Sequence, residues 1–393
     1  MAEDQNIEEP KIEETQAEQP AAEAVGGEAV AESKYTGFLG KVDNYFGITK
    51  MKSSFKTEML AGLTTFMTMV YILMVNADMF TSTGVSYGAA YIFTAIGAIV
   101  GTLLMAFLAK IPFAQAPGMG LNAFFCFTVC GTLGYSYANA LLIVLCSGVL
   151  FLILTIVGAR EMIVRSVPTA IRIAIPAGIG LFIAFVGMQN AGIIVQTDAS
   201  TKVGLISFNL RVFSVGGEAM ISAVVAILSL LMIAIFSKLK IKAAMVIGIV
   251  GSAVLYYAFV GIGAAVGAAD CVAVFEGISF ANPLQAFADF GTQAAGQVFI
   301  NGFKGIPADK IFDFIAALVA FAMVDMFDTI GTLMGTCQAA GKESGLLDDT
   351  GEVKNIQKAL LCDSIATCTG AILGTSTVTT FVESSAGVAE GGR

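Results

Sequence analysis

The sequence predicts an all-α polytopic membrane protein on an inverted 7+7 transmembrane plan, of which about ten spans are present. Three observations carry this. Of 393 residues, 56% are hydrophobic and only 13% charged, with a mean hydropathy of +0.81, whereas a soluble chain carries roughly a quarter charged residues. The apolar residues fall into segments of roughly twenty, the length that crosses a bilayer. Lysine and arginine collect in alternate loops and are absent from the short loops between them.

Residues 1–36 are expected to form a disordered acidic tail. Ten acids and one base among residues 1–33 make a balance of −9, the net charge of the whole chain, so everything after them is neutral overall. With no aromatics and few large apolar residues among residues 1–33, the tail cannot bury enough surface to fold. It also lacks the basic start and apolar core of a signal peptide. No clustered basic surface suggests a nucleic-acid partner. Phe38, Leu39, Val42, Tyr45 and Phe46 then sit among Lys41, Lys50, Lys52 and Lys56. This reads either as an interfacial helix on the inner leaflet or as a basic flank of the first span.

Spans are expected near 59–80, 88–109, 111–130, 138–158, 171–189, 218–237, 243–260, 314–336 and 357–373, with a tenth starting near 375. The N-terminus and the loops after even spans hold Lys34 to Lys56, Lys110, Arg160, Arg165, Arg172, Lys238, Lys240, Lys242, Lys342, Lys354 and Lys358. The short loops "TSTGVSYG" and "GTLGYSY" hold no lysine or arginine. The positive-inside bias then places the N-terminus in the cytoplasm and the chain in the cell membrane. Seven spans, a long external loop at 263–310 and a fresh set of spans suggest two repeats. An odd number per repeat inverts the second, so span 8 answers span 1 and span 10 answers span 3.

Spans 3 and 10 are both poor continuous helices. Span 3, "IPFAQAPGMGLNAFFCFTVCGTLG", is interrupted by Pro112, Pro117, Gly118 and Gly120, and sets Gln115 and Asn122 at membrane depth. Broken backbone survives there only when buried in protein or lining a cavity; close glycine packing with Asn122 bridging helices is the alternative. Span 8, "FIAALVAFAMVDMFDTIGTLMGT", carries Asp325 and Asp328 three residues apart on one helix face, with Thr329 and Thr332 nearby. Each mid-span aspartate costs roughly 2.5–3.5 kcal/mol on insertion. Asp328 is the better ligand candidate and Asp325 a supporting group, unless both merely hold a neighbouring helix. Span 10 sets Glu383 among Thr377, Thr379, Thr380, Ser384 and Ser385. A desolvated carboxylate favours its neutral form, which suits a proton-coupling or ligand group; the alternative is a carboxylate near the membrane edge that snorkels out. Lys358, Asp363 and Asp313 read as packing charges. Histidine is absent, and the seven cysteines show neither metal-ligand spacing nor a disulfide framework. No cofactor is expected beyond a coupling proton.

"PGMGLNAFF" (117–125), "GLFIAFVGMQNAGI" (180–193), "VDMFDTIGTLMG" (324–335) and "GTSTVTTFVESSAGVAEGGR" (374–393), in this order, resemble the nucleobase–cation symporter type 2 family. The narrower likeness is to its AzgA-like branch of guanine/hypoxanthine/adenine permeases. The resemblance implies a fourteen-span fold with short strands in spans 3 and 10. A core domain (37–160, spans 1–4, and 311–393, spans 8–10) would work against a gate domain (161–262, spans 5–7). It implies Glu383, Asp328, Asn122 and Gly120 as substrate-binding, and Glu383, Asp328, Asp325 and Thr332 as coupling or supporting groups. Distant relatives carry a histidine where this chain has Thr332. Spans 11–14 are not in the sequence, so the chain as given is expected not to transport.

The implied function is import of purine nucleobases by proton symport through an elevator-type or rocking motion of core against gate, with no enzyme activity. The implied partners are a purine, the lipid bilayer and, as an open option, a second copy in a homodimer. A uracil or xanthine permease, or an anion carrier of the same fold, is the alternative. An anion site would call for a helix N-terminus or a base in place of Glu383. An aspartyl protease fits poorly, because Asp325 and Asp328 share one helix. A purely structural membrane protein has no need of three polar, broken spans.

Overall fold

The computed structural model describes residues 35–158, 168–196, 203–205, 217–239, 241, 244–267, 269–276, 282–306, 310–341, 344–347 and 353–393. The expected disordered tail to residue 34, and the loop cations Arg160, Arg165, Lys240, Lys242 and Lys342, lie outside these residues.

The chain opens with α1 (Gly37–Phe46), then α2 (Phe55–Met69) and α3 (Tyr71–Thr81), which together form span 1 with a break at Val70. The Thr64 and Thr68 hydroxyls bond back to carbonyls of the preceding turn, which competes with the helical ladder ahead of this break. Next come α4 (Tyr87–Leu104, prolonged by a π-helical turn to Ala109), β1 (Gln115–Pro117), and α5 (Met119–Ala123, continuing as a π-helix to Thr132). Then follow α6 (Tyr137–Ile156), α7 (Thr169–Asn190), the hairpin β2 (Ile194–Gln196) and β3 (Val203–Leu205), α8 (Gly217–Lys238) and α9 (Ala244–Ala265). Short helices α10 (Ala269–Glu276), α11 (Pro283–Asp289) and α12 (Gln297–Ile300) lead to the 30-residue α13 (Ile311–Ala340), α14 (Ile356–Leu373), β4 (Val378–Thr380) and α15 (Ser384–Ala389).

Serine caps explain where several spans begin. Ser54, Ser86 and Ser136 each accept a backbone N–H three residues on, satisfying a donor that a helix start leaves orphaned. Six helices of the described residues are long and apolar enough to cross a membrane: Phe55–Thr81, Tyr87–Ala109, Tyr137–Ile156, Met220–Lys238, Ile247–Ala265 and Ile356–Leu373. They match the expected spans 1, 2, 4, 6, 7 and 9, while spans 5 and 8 fall on α7 and α13. Large apolar side chains such as Leu230, Val254 and Met59 stay exposed on their outer faces, as lipid-facing residues do. The expected external loop is partly helical. Cys271, expected in that loop, is buried on α10 against Ile221, Val225 and Val260, because the apolar stretch around it packs on α8 and α9.

Span alternation holds in three dimensions. Loops expected on the outer side meet one another: Ser86 N–H donates to Gln293, and Lys310 Nζ to the Leu133 carbonyl. Those expected inside meet at the other end, where Asn355 bonds the Ala109 carbonyl and Lys110 that of Tyr45. Between them α14 packs against α6 and α4, α3 against α4, and α15 against α2. One buried cluster is centred on Phe80, Phe93, Phe125 and Phe321; a second joins Met105, Phe113 and Phe151 to Met326, Leu333 and Leu360.

Candidate functional site

The expected interruptions of spans 3 and 10 are where the two spans meet. β1 and β4 pair antiparallel, with Gln115 opposite Thr380 and Pro117 opposite Val378. Gly118 N–H adds a bond to the Thr377 carbonyl and Phe381 N–H one to Ala114, at 3.0 and 3.1 Å. Proline and glycine stop span 3 from running as a helix, and the Thr/Val run 377–380 favours an extended chain. Each strand thereby satisfies backbone groups that lipid could not. Two helices must come close for this to fit. A Cβ on Gly370 would lie 2.8 Å from Val378 Cγ2 and 2.9 Å from the Ser376 carbonyl; one on Gly101 would lie 2.9 Å from Gln115 Cβ and Val378 Cγ1.

Asn122 stands beside this crossing, fully buried. Its amide donates to Asn76 Oδ1 at 2.7 Å and approaches the Pro117 carbonyl at 3.4 Å, while the Ser376 hydroxyl donates to its Oδ1. Asn76 in turn donates to the Pro117 carbonyl. Asn122 thus ties span 1, β1 and the approach to β4 together. Gly120, two residues earlier, faces open space: nothing lies within 4 Å of an added Cβ.

Four carboxylates gather around β4 and the start of α15. Asp325 is fully buried and accepts from the Thr367 hydroxyl at 3.3 Å. Asp363, also fully buried, accepts from Thr329 at 2.7 Å, and Thr329 pairs at 2.7 Å with the hydroxyl of Thr379. With its own proton committed to the carboxylate, Thr329 must accept from Thr379. The chain of bonds from α14 through α13 pins β4. Asp328 is half-buried, makes no hydrogen bond among the described residues, and lies within electrostatic range of Asp363 and Glu383. Thr332, half-buried, follows one turn later. Glu383 occupies the N-cap position of α15. Tyr71 donates to its Oε1 at 2.7 Å; its Oε2 is buried without a hydrogen-bond partner.

The predicted residues therefore separate by how their polar atoms are used. Asn122 is engaged with the protein through its amide, and Asp325 through one oxygen, whereas Asp328 and one oxygen of Glu383 retain capacity to accept. Neither Asp328 nor Glu383 pairs with lysine or arginine among the described residues. Such a site suits a ligand bringing N–H donors or a proton, and repels an anion. Tyr71 and Asn76 are the residues sequence reasoning missed, and the one available signal was polarity inside apolar spans. Asp363, a packing charge in the sequence reading, bonds Thr329 on α13. A cavity of about 540 Å³ lies elsewhere, in an apolar groove between α2 and α4 that reaches the strands at Gln115.

Comparisons with known proteins agree with this architecture. Residues 56–393 match the Permease family Xan_ur_permease. The guanine/hypoxanthine permease PbuO of Bacillus subtilis is 37% identical over 350 residues, covering 88% of this chain and 73% of that protein. The adenine permease AdeP of Escherichia coli is 32% identical over 354 residues, covering 90% and 71%. The transmembrane domain of a cyanobacterial bicarbonate transporter, BicA, shares the fold at a TM-score of 0.50 and 14% identity, covering 86% of this chain and 78% of that one. A match across most of the chain, with relatives above 30% identity, makes it a member of the Permease family: a multi-pass membrane transporter and not an enzyme.

Proposed function

We propose that this permease carries purine nucleobases, with guanine, hypoxanthine and adenine as the candidate substrates, in symport with protons. The carrying observation is the buried, unpartnered Oε2 of Glu383 beside Asp328, at the break of span 10. A purine edge offers adjacent N–H donors that such a carboxylate accepts. A site built to bond those groups discriminates against analogues lacking them, because its own acceptors would stay unpaired. The names of the relatives, guanine/hypoxanthine and adenine permeases, favour this class over uracil or xanthine. The fold alone does not choose between a base and an anion, since a bicarbonate transporter shares it; the carboxylates without a paired cation favour the base.

In this reading Glu383 and Asp328 hold the base, Gly120 leaves room for its plane, and Asn122, Asp325 and Thr332 keep the walls in place. Protonation of one carboxylate offsets the buried charge and lets the loaded core move against the gate helices α7–α9. The reading extends to an inverted 7+7 repeat, with β1 and β4 at corresponding positions of the two halves, and to a cytoplasmic N-terminus.

Binding of labelled hypoxanthine, guanine and adenine to the purified protein is the first readout, because it needs the crossing strands and no transport cycle. Glu383→Gln keeps the size and removes the charge, and binding should fall by at least tenfold, the loss of a charged hydrogen bond. Uptake across a pH series by cells expressing the protein tests the coupling. Full uptake by Glu383→Gln with an unchanged pH dependence overturns the role.

A further inference from the structure

At the end of the molecule opposite the α11–α12 loops lies a second cavity of about 430 Å³. Four lysines line it from three separate loops: Lys50 and Lys52 after α1, Lys110 after α4, and Lys354 before α14. Lys110 is held by the Tyr45 carbonyl at 2.8 Å and lies 4.1 Å from the centroid of the Tyr45 ring. The ammonium groups of Lys50, Lys52 and Lys354 have no hydrogen-bond or ion-pair partner among the described residues. The nearby carboxylates are turned elsewhere: Asp43 accepts from the Thr49 amide and hydroxyl, and Glu58 from Ser53 and the Arg393 amide.

The backbone is unusual at the same place. Lys52, Lys110 and Asn355 are the three non-glycine residues with positive φ among those described, each at 57°, and all three line this cavity. A left-handed conformation costs a lysine free energy, and such residues cluster at ligand clamps. Beside the cavity, α1 leaves Phe38, Leu39 and Tyr45 exposed, while Phe46 lines the cavity itself. An apolar helix face next to a basic cavity is the arrangement by which an interfacial helix seats itself at a charged leaflet.

The geometry points to a binding site for the phosphate of an anionic lipid headgroup, reached from the inner leaflet, with α1 lying along the acyl region. The phosphate accepts from the Lys50, Lys52 and Lys354 ammonium groups, and the acyl chains run beside Phe46 and the exposed face of α1. The shared chemistry is a phosphate monoanion, which a free inorganic phosphate would also supply. The loop 341–355 also carries Glu343, Asp348, Asp349 and Glu352, which lie outside the described residues.

The test uses the full chain reconstituted in phosphatidylcholine nanodiscs with and without phosphatidylglycerol, then released into mild detergent for native mass spectrometry. Wild type should retain phosphatidylglycerol in preference to phosphatidylcholine. The Lys50→Gln/Lys354→Gln variant should lose that retention roughly tenfold or more, as expected for two removed surface charges. Lys50→Arg/Lys354→Arg should keep it, which separates lost charge from lost folding. Equal retention by wild type and the glutamine variant overturns the site. Displacement of the lipid by inorganic phosphate alone, with phosphate bound in its place, overturns the lipid assignment.

Discussion

Tyr71→Phe is the sharpest probe of how Glu383 is held. The phenol donates to Oε1 at 2.7 Å across 312 residues of sequence, and Oε2 has no partner. The substitution keeps the ring, so packing between span 1 and α15 survives, and removes the one hydrogen-bond donor the carboxylate has among the described residues. A hydrogen bond to a charged group contributes roughly 1.5–3 kcal/mol. At about 1.36 kcal/mol per decade, base binding should weaken roughly 10- to 150-fold if that bond orients the carboxylate for the ligand. Equilibrium binding of labelled hypoxanthine to purified wild type and variant measures this, with thermal unfolding in the same detergent as the folding control. Wild-type affinity in a folded Tyr71→Phe protein would refute the reasoning: the strand alone would then set the carboxylate.

The network behind β4 makes its own predictions. Thr329→Val keeps the side-chain shape but strips Asp363 and Thr379 of a partner. A loss of about 1–3 kcal/mol should appear as a lower unfolding temperature, with Asp363→Asn milder because its amide oxygen still accepts; a wild-type melting curve for Thr329→Val would show that the network does not pin the strand. Gly370→Ala and Gly120→Ala should part company. The first drives a methyl into Val378 and the Ser376 backbone, costing about 1–3 kcal/mol as overpacking and reducing both stability and binding. The second meets nothing, so stability should hold while base binding drops, and equal binding by Gly120→Ala and wild type would remove Gly120 from the site.

Much of this protein is legible along the chain because its causes are local. Hydropathy placed eight helices, six of them long and apolar enough to cross a membrane among the described residues, since a segment must be apolar over its own length to enter lipid. Lysine distribution predicted which loops share a side, and Lys50, Lys110 and Lys354 do meet at one end. Pro117 and Gly118 in span 3, and the glycine- and hydroxyl-rich composition of span 10, mark both as poor continuous helices. Asp328 and Glu383 stood out because a carboxylate at membrane depth is costly wherever it sits.

Only the tertiary structure decided how those polar groups are used. The sequence ranks Asp328 above Asp325 as a ligand candidate, but with both on one face of one helix it does not show what either one bonds. In the fold Asp325 meets Thr367, whereas Asp328 lies near Glu383 without a hydrogen bond. The sequence leaves Asn122 either lining a cavity or bridging helices, and in the fold its amide is engaged with Asn76, Pro117 and Ser376. Tyr71 carries no mark along the chain beyond a polar tip inside an apolar span. A hydrogen bond depends on the approach of distant segments, and that approach is set by the pairing of β1 with β4 and the close packing at Gly101 and Gly370. The sequence by itself determined where polarity enters the membrane; the packing decided which of it is already satisfied and which remains for a ligand.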